Sequence, residues 1–191
     1  HHLLRRQRQM CIRDSPNFIC LVSRYGEVAH YSHQGFKNID KKDEINNETI
    51  FRIYSMTKPI TSVALMMLYE KGLIRLEHEL YRYLPEFKKT EVWVSGDTNS
   101  YKTKPIKNPI LIRDLMTHTA GFTYDFMIGH PAIGLYRKNG LHDHKDIKTK
   151  KEMDLKQFCE KLSDLPILFE PGEKWHYSNS IDVLGLSLIH I

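Results

Sequence analysis

Residues 51–72 read Phe51-Arg52-Ile53-Tyr54-Ser55-Met56-Thr57-Lys58-Pro59-Ile60-Thr61-Ser62-Val63-Ala64-Leu65-Met66-Met67-Leu68-Tyr69-Glu70-Lys71-Gly72. Apolar side chains at Ile60, Val63, Ala64, Met67 and Leu68 repeat with helical spacing, and Leu65, Met66 and Tyr69 cover much of the remaining circumference. That pattern predicts a buried central helix. Pro59 fits only the first turn, where its missing N–H costs nothing, and Gly72 is placed to end the helix. Ile50-Phe51-Arg52-Ile53 reads as a short extended segment leading in. Ser55 therefore sits at or just before the N-terminus of the helix.

A serine hydroxyl is a poor nucleophile at neutral pH and needs a base or a nearby cation, plus donors for the oxyanion. Ser55 and Lys58 supply part of this, because residues i and i+3 share a helical face and the helix N-terminus adds positive potential. No other serine of the chain has a lysine three residues on. Taken alone, the pair leaves two readings open: a nucleophile with its activator, or a capping serine beside a solvated lysine. A first-turn lysine opposes the helix dipole, which weighs against the second.

Working outward, residues 18–24 and 28–35 are β-rich and flank Tyr25-Gly26-Glu27, which predicts a hairpin. Residues 37–48 are polar and loop-like. Downstream, residues 110–118 suggest a short helix closed by Thr119-Ala120-Gly121. Residues 138–153 are polar and lysine-rich and read most simply as a solvated surface loop. Asp154 then caps a helix with Leu155, Phe158, Leu162 and Leu165 on one face. Residues 166–175 read as loop or short strand, and Ser180 is placed to cap a helix beginning at Ile181.

Just before that last helix lies Tyr177-Ser178-Asn179, after Pro171-Gly172-Glu173-Lys174-Trp175-His176. A tyrosine near lysine-type charges can have its pKa drawn below ~10 and serve as a general base. Asn179 can offer an amide to a substrate carbonyl. Taken alone, the same three residues are better accounted for by a plain surface loop with an N-cap asparagine or serine. The histidines His118, His130, His176 and the His142-Asp143-His144 cluster lack zinc-helix spacing, so no metal site is expected. His118 is expected to make structural hydrogen bonds in its turn, and His176 to line the cleft.

Composition excludes several classes. With 41% hydrophobic and 27% charged residues the chain reads as globular. Its longest apolar run is too short to span a bilayer. Residues 1–15, His1 to Ser15, show no periodicity and resemble translated adapter sequence, as do residues 186–191; both are set aside as non-native tails. The formal net charge is +5. Arg5, Arg6, Arg8 and Arg13 against Asp14 account for three of those charges, which leaves about +2 spread among acidic residues, without the basic face a nucleic-acid partner requires. Cys20 and Cys159 read as small buried hydrophobes rather than a disulfide or metal pair.

Three segments occur in order: residues 51–60 with Ser55 and Lys58, Leu115-Met116-Thr117-His118-Thr119-Ala120-Gly121-Phe122, and residues 171–179 with Tyr177. In this the chain resembles the serine β-lactamase-like superfamily of class C β-lactamases, DD-peptidases and class VIII carboxylesterases. Residues 177–185 look closest to the esterase branch. The resemblance implies an α/β (α+β) fold, with an antiparallel sheet flanked by helices and a mostly helical inserted domain at about residues 73–165. It implies Ser55 as nucleophile, Lys58 as activator, Tyr177 as general base and Asn179 as a weaker substrate-binding residue. It also implies cleavage of a small-molecule carboxylic ester through an acyl-enzyme, without cofactor. β-Lactam or D-Ala-D-Ala peptide cleavage, acyl transfer, and a non-catalytic binding or scaffolding relative are the alternatives. The family's third motif, Lys or His-x-Gly on a strand that also carries an oxyanion donor, is not found after Tyr177. Residues 16–185 are thus expected to be a partial domain, truncated at the C-terminus and inactive by itself.

Overall fold

A computed structural model describes residues 16–141 and 153–191. The chain divides into two compact units, His1–Tyr54 and Ser55–Ile191.

In the first unit, β1 (Asn17–Arg24) and β2 (Glu27–Asn38) form an antiparallel hairpin with Arg24 opposite Glu27 and Asn17 opposite Gly35. The expected hairpin is present. Its two-residue turn needs left-handed backbone at both positions, and Tyr25 (φ 53°) and Gly26 (φ 82°) supply it. A bulge at Val22/Ser23 interrupts the register. Part of the predicted loop is instead a short strand, β3 (Asp43–Glu44), which pairs with β2 and completes a sheet of order β1-β2-β3. Cys20 is exposed on β1, not buried as expected. A period-2 strand turns alternate side chains to opposite faces, so an apolar neighbourhood in sequence does not guarantee burial.

One 3₁₀ turn, Tyr54–Met56, leads into the second unit and runs into α1 (Thr57–Glu70). Pro59 stands in the first turn and Gly72 (φ 71°) follows the end, as read from sequence. The segment before Ser55 forms no strand. Burial of α1 departs from expectation. Leu65 is fully buried, whereas Ile60, Val63 and Met67 are each more than half exposed along one stripe.

Short helices α2 (Ile112–Met116) and α3 (Ile133–Lys138) follow, then α4 (Leu155–Ser163) and α5 (Ser180–His190). The Asp154 carboxylate accepts from Gln157 N–H at 2.8 Å while Gln157 answers at Asp154 N–H, the expected cap closed as a reciprocal box. The residue at the N-cap of α5 is Asn179, one before the serine expected there. Residues set aside at the C-terminal end continue α5, with Leu186 and Ser187 buried. Leu186 and Ser187 lie three and four residues after the buried Val183 and so share its face of the helix.

The region expected to be mostly helical also contains a hairpin, β4 (Glu91–Gly96) with β5 (Tyr101–Pro105). The Asp97 carboxylate builds its turn by accepting from Asn99 N–H (2.7 Å) and Ser100 N–H (2.9 Å). Ile167 N–H and C=O bond Glu91 and Trp93 at 2.9 Å each, fastening residues 166–168 beside β4. The core gathers Leu65, Leu80, Phe87, Ile112, Phe122 and Leu184, with Tyr136 and Cys159 fully buried. α1, α2 and α4 all pack on α5. The helix after the Tyr177 loop is thus held against the helix that follows Ser55.

Candidate active site

Ser55 lies in the 3₁₀ turn, and Tyr54 before it takes a left-handed conformation (φ 45°) that a bulky residue rarely adopts. The N-cap position of α1 is filled by Met56, which makes no side-chain cap bond. Ser55 is therefore not a helix cap. Its exposed Oγ instead meets two side chains: Lys58 Nζ donates to it at 3.3 Å, and Tyr177 O–H donates to it at 2.6 Å from 122 residues away. The first contact follows from helix geometry. The second is tertiary.

The Lys58 ammonium lies 5.0 Å from the Tyr177 ring centre and 5.5 Å from that of Tyr124. Partial burial works against its charge, but hydrogen bonding and attraction to Tyr124 and Tyr177 outweigh that and hold its pKa above the ordinary lysine value. Lys58 is thus a cation, not a neutral amine. Tyr177 moves the other way. Burial opposes its ionisation, yet hydrogen bonds with Ser55 and Lys58 and the nearby ammonium draw it below the usual tyrosine value. Tyr124, more deeply placed, is pushed up to about 12 by burial and keeps its proton. Two phenols share one ammonium, and their surroundings move their pKa values in opposite directions.

Tyr177 is held by aromatic neighbours on two sides: His118 with ring centres 4.9 Å apart, and Tyr124 at 5.5 Å. Tyr124 in turn stacks on Phe126 at 4.8 Å. The turn at residues 117–123 and the loop at 168–178 are joined along their backbones. His176 N–H donates to His118 C=O at 2.9 Å, Gly172 N–H to Thr119 C=O at 2.9 Å, and Leu168 N–H to Gly121 C=O at 2.8 Å. Gly121 must be glycine here, because at φ 86° a Cβ would lie 2.6 Å from the Phe169 carbonyl oxygen.

Asn179, the fourth residue singled out from sequence, is only 2% exposed at the start of α5, and its Oδ1 has no hydrogen-bond partner among the described residues. It does not join the Ser55 cluster through any recorded hydrogen bond. His176 bonds Thr123 through Nε2 at 2.9 Å, a half-buried tie between the two loops. Tyr124 escaped sequence reasoning. It lies three residues after Gly121 of the Thr-His-Thr-Ala-Gly turn, which is the one local signal that could have marked it. No group of His, Cys, Asp and Glu among the described residues is arranged to hold a metal ion. His142, Asp143 and His144 lie outside those residues. No described helix is long and apolar enough to cross a membrane. A surface depression of about 510 Å³, lined by Glu86, Lys88, Glu91, Tyr101, Thr103 and Asp164 among others, shares no residue with the Ser55 cluster.

Three relatives extend the comparison. The chain is 33% identical over 173 residues to Protein Rv1367c of Mycobacterium tuberculosis, covering 91% of this chain and 41% of that protein. It is 31% identical over 167 residues to Esterase EstB of Burkholderia gladioli, covering 87% of this chain and 38% of the esterase. Among solved structures, EstCE1, a hydrolase with promiscuous acyltransferase activity, superposes with a TM-score of 0.75 at 29% identity, over 94% of this chain and 43% of its own. The chain therefore spans about two fifths of the length of the curated relatives it matches. Residues 12–188 match the Beta-lactamase family, so the convergence of Ser55, Lys58 and Tyr177 is found in a chain that belongs to that family.

Proposed function

We propose that the complete protein is a serine hydrolase that cleaves a small carboxylic ester through an acyl-enzyme on Ser55. The observation that carries this reading is the convergence on one exposed Oγ of a phenol at 2.6 Å and an ammonium at 3.3 Å. Tyr177, as phenolate beside the Lys58 ammonium, takes the Ser55 proton as Oγ attacks the ester carbonyl. The carbonyl oxygen becomes an oxyanion facing the Ser55 N–H and the positive end of α1. Collapse expels the alkoxide, which receives its proton from Tyr177 and leaves as the alcohol. Water then attacks the acyl group, passing its proton to Tyr177. The acid departs as Oγ recovers that proton. Lys58 stays charged throughout and holds Tyr177 ready to accept. Asn179, buried beside the site, is not used in this scheme.

Acyl transfer follows the same path with an alcohol or amine in place of the water. The similarity to EstCE1, whose description includes promiscuous acyltransferase activity, favours it as the second reading. A fluorophosphonate probe and p-nitrophenyl acetate test the proposal in the complete gene product. Wild type should be labelled and turn over, and Ser55→Ala should do neither while keeping its thermal transition. Ester hydrolysis by Ser55→Ala within a few-fold of wild type refutes it. Penicillin labelling without ester turnover moves the assignment to β-lactam or peptide cleavage.

The 191 residues alone are proposed to have no turnover. The third motif, whose strand by the family resemblance also brings the second oxyanion donor, is not found after Tyr177, and losing one such donor typically costs ~10²–10³ in rate. The exposed stripe of Ile60, Val63 and Met67 on the helix that carries Lys58 supports this. Ser55-dependent turnover by residues 16–185 alone overturns it.

A further inference from the structure

His118 stands in a conformation that costs a histidine energy and would cost glycine none. It follows α2 with φ 56°, in the left-handed position where helices commonly end on glycine or asparagine. What the side chain does there is visible in its contacts. Ring Nδ1 accepts from the Ser178 backbone N–H at 3.3 Å and lies 3.4 Å from Ser178 Oγ, which bonds Ser180 Oγ at 2.7 Å. Its carbonyl accepts from His176 N–H. Its ring packs on Tyr177 at 4.9 Å and on Trp175 at 6.4 Å. One residue thus holds the backbone on both sides of Tyr177 and one face of the ring.

From this geometry we infer that His118 is a positioning residue that sets Tyr177 against Ser55, and that it does so only with Nδ1 unprotonated. The inference rests on Tyr177 acting as the base in the reading above. An N–H at Nδ1 would face the Ser178 N–H, donor against donor, and release the loop. Tyr177 touches Ser55 through a single bond at 2.6 Å, so a shift of about 1 Å is enough to lose it. The groups around the ring favour the neutral form. Burial and the Lys58 charge from α1 both depress His118, and Tyr177 and His176 flank it from the loop. On its own turn, Thr119 is tied to Asp114 of α2.

The test compares His118→Gly and His118→Asn with wild type in the complete gene product, following thermal stability together with kcat and KM for a p-nitrophenyl ester across pH 5–10. Glycine relieves the backbone and removes the acceptor, so the fold should persist while kcat falls about ten- to a hundredfold with KM little changed. Asparagine tolerates the same backbone, offers an oxygen to Ser178 N–H and should recover much of kcat. In wild type, log kcat/KM should fall with unit slope as Tyr177 gains its proton, then steepen below pH 6.5, where His118 also gains one. His118→Asn should keep the unit slope throughout. Wild-type kcat in His118→Gly, no recovery in His118→Asn, or the same steepening in His118→Asn overturns the inference. Ser55→Ala, run alongside, separates this outcome from failure of the hydrolase reading, since only the latter leaves its turnover intact.

Discussion

Replacing Lys58 with methionine removes one charge while keeping most of the side-chain volume and the helix. The ammonium it deletes lies 3.3 Å from Ser55 Oγ and 5.0 Å from the Tyr177 ring centre. Two unit charges at the latter separation interact by about 3 kcal/mol at an effective dielectric of ~20, and by about 1 kcal/mol in bulk water. Lys58 is half-buried, so the true figure falls between these limits. The corresponding rate loss is roughly five- to 150-fold at ~1.4 kcal/mol per factor of ten. The loss of charge near the Ser55 oxyanion pushes it toward the upper end. A pH profile carries the sharper test. In wild type the ammonium draws Tyr177 below the ordinary tyrosine value, so activity should rise with pH and level off before pH 10. Without Lys58 the phenol loses that support and the rising limb moves to higher pH. The assay is kcat/KM for p-nitrophenyl acetate from pH 6 to 10.5 in the complete gene product, with Ser55→Ala as background. An unmoved limb, or its disappearance together with full activity, refutes the assignment of Lys58 as a cation serving Tyr177.

Two further substitutions probe the same arrangement. Tyr177→Phe removes only the hydroxyl that reaches Ser55 and leaves the rings of His118 and Tyr124 packed, so the thermal transition should hold while kcat drops ~10²–10⁴-fold; single-substrate kinetics on the purified variant would expose an error. Gly121→Ala forces a Cβ into left-handed backbone at about 1–2 kcal/mol and also onto the Phe169 carbonyl at 2.6 Å. The total should be about 3 kcal/mol, read by denaturant titration, with activity falling as the two loops part. A variant as stable as wild type would mean the loops are not joined there.

The comparison of sequence with structure turns on which contacts are local. The span of α1, the Tyr25-Gly26 turn and the Asp154 cap were legible, because each depends on neighbours within one or two turns of chain. The β4–β5 hairpin was missed. Its Val92-Trp93-Val94 apolar run is short, and lies in a region assigned as helical by resemblance. The extent of α1 burial was misjudged for a different reason. Periodicity says which side chains share a face, and only packing says whether another element covers it.

At the site the division is sharper still. The amino-acid sequence by itself determined that Ser55 and Lys58 share a helical face, since a spacing of three residues sets that distance wherever the helix lies. It also set Tyr177 in a loop before a helix. That Tyr177 reaches Ser55 across 122 residues was decided by tertiary structure alone, through α5 packed on α1 and the backbone bonds between residues 118–121 and 168–176. The same holds for Tyr124, which joins Lys58 and Tyr177 only through that packing. The protonation states follow suit. A side chain's ordinary pKa is a property of its type, but the raised lysine and lowered tyrosine arise, against the opposing effect of burial, from hydrogen bonds and charges brought together by folding.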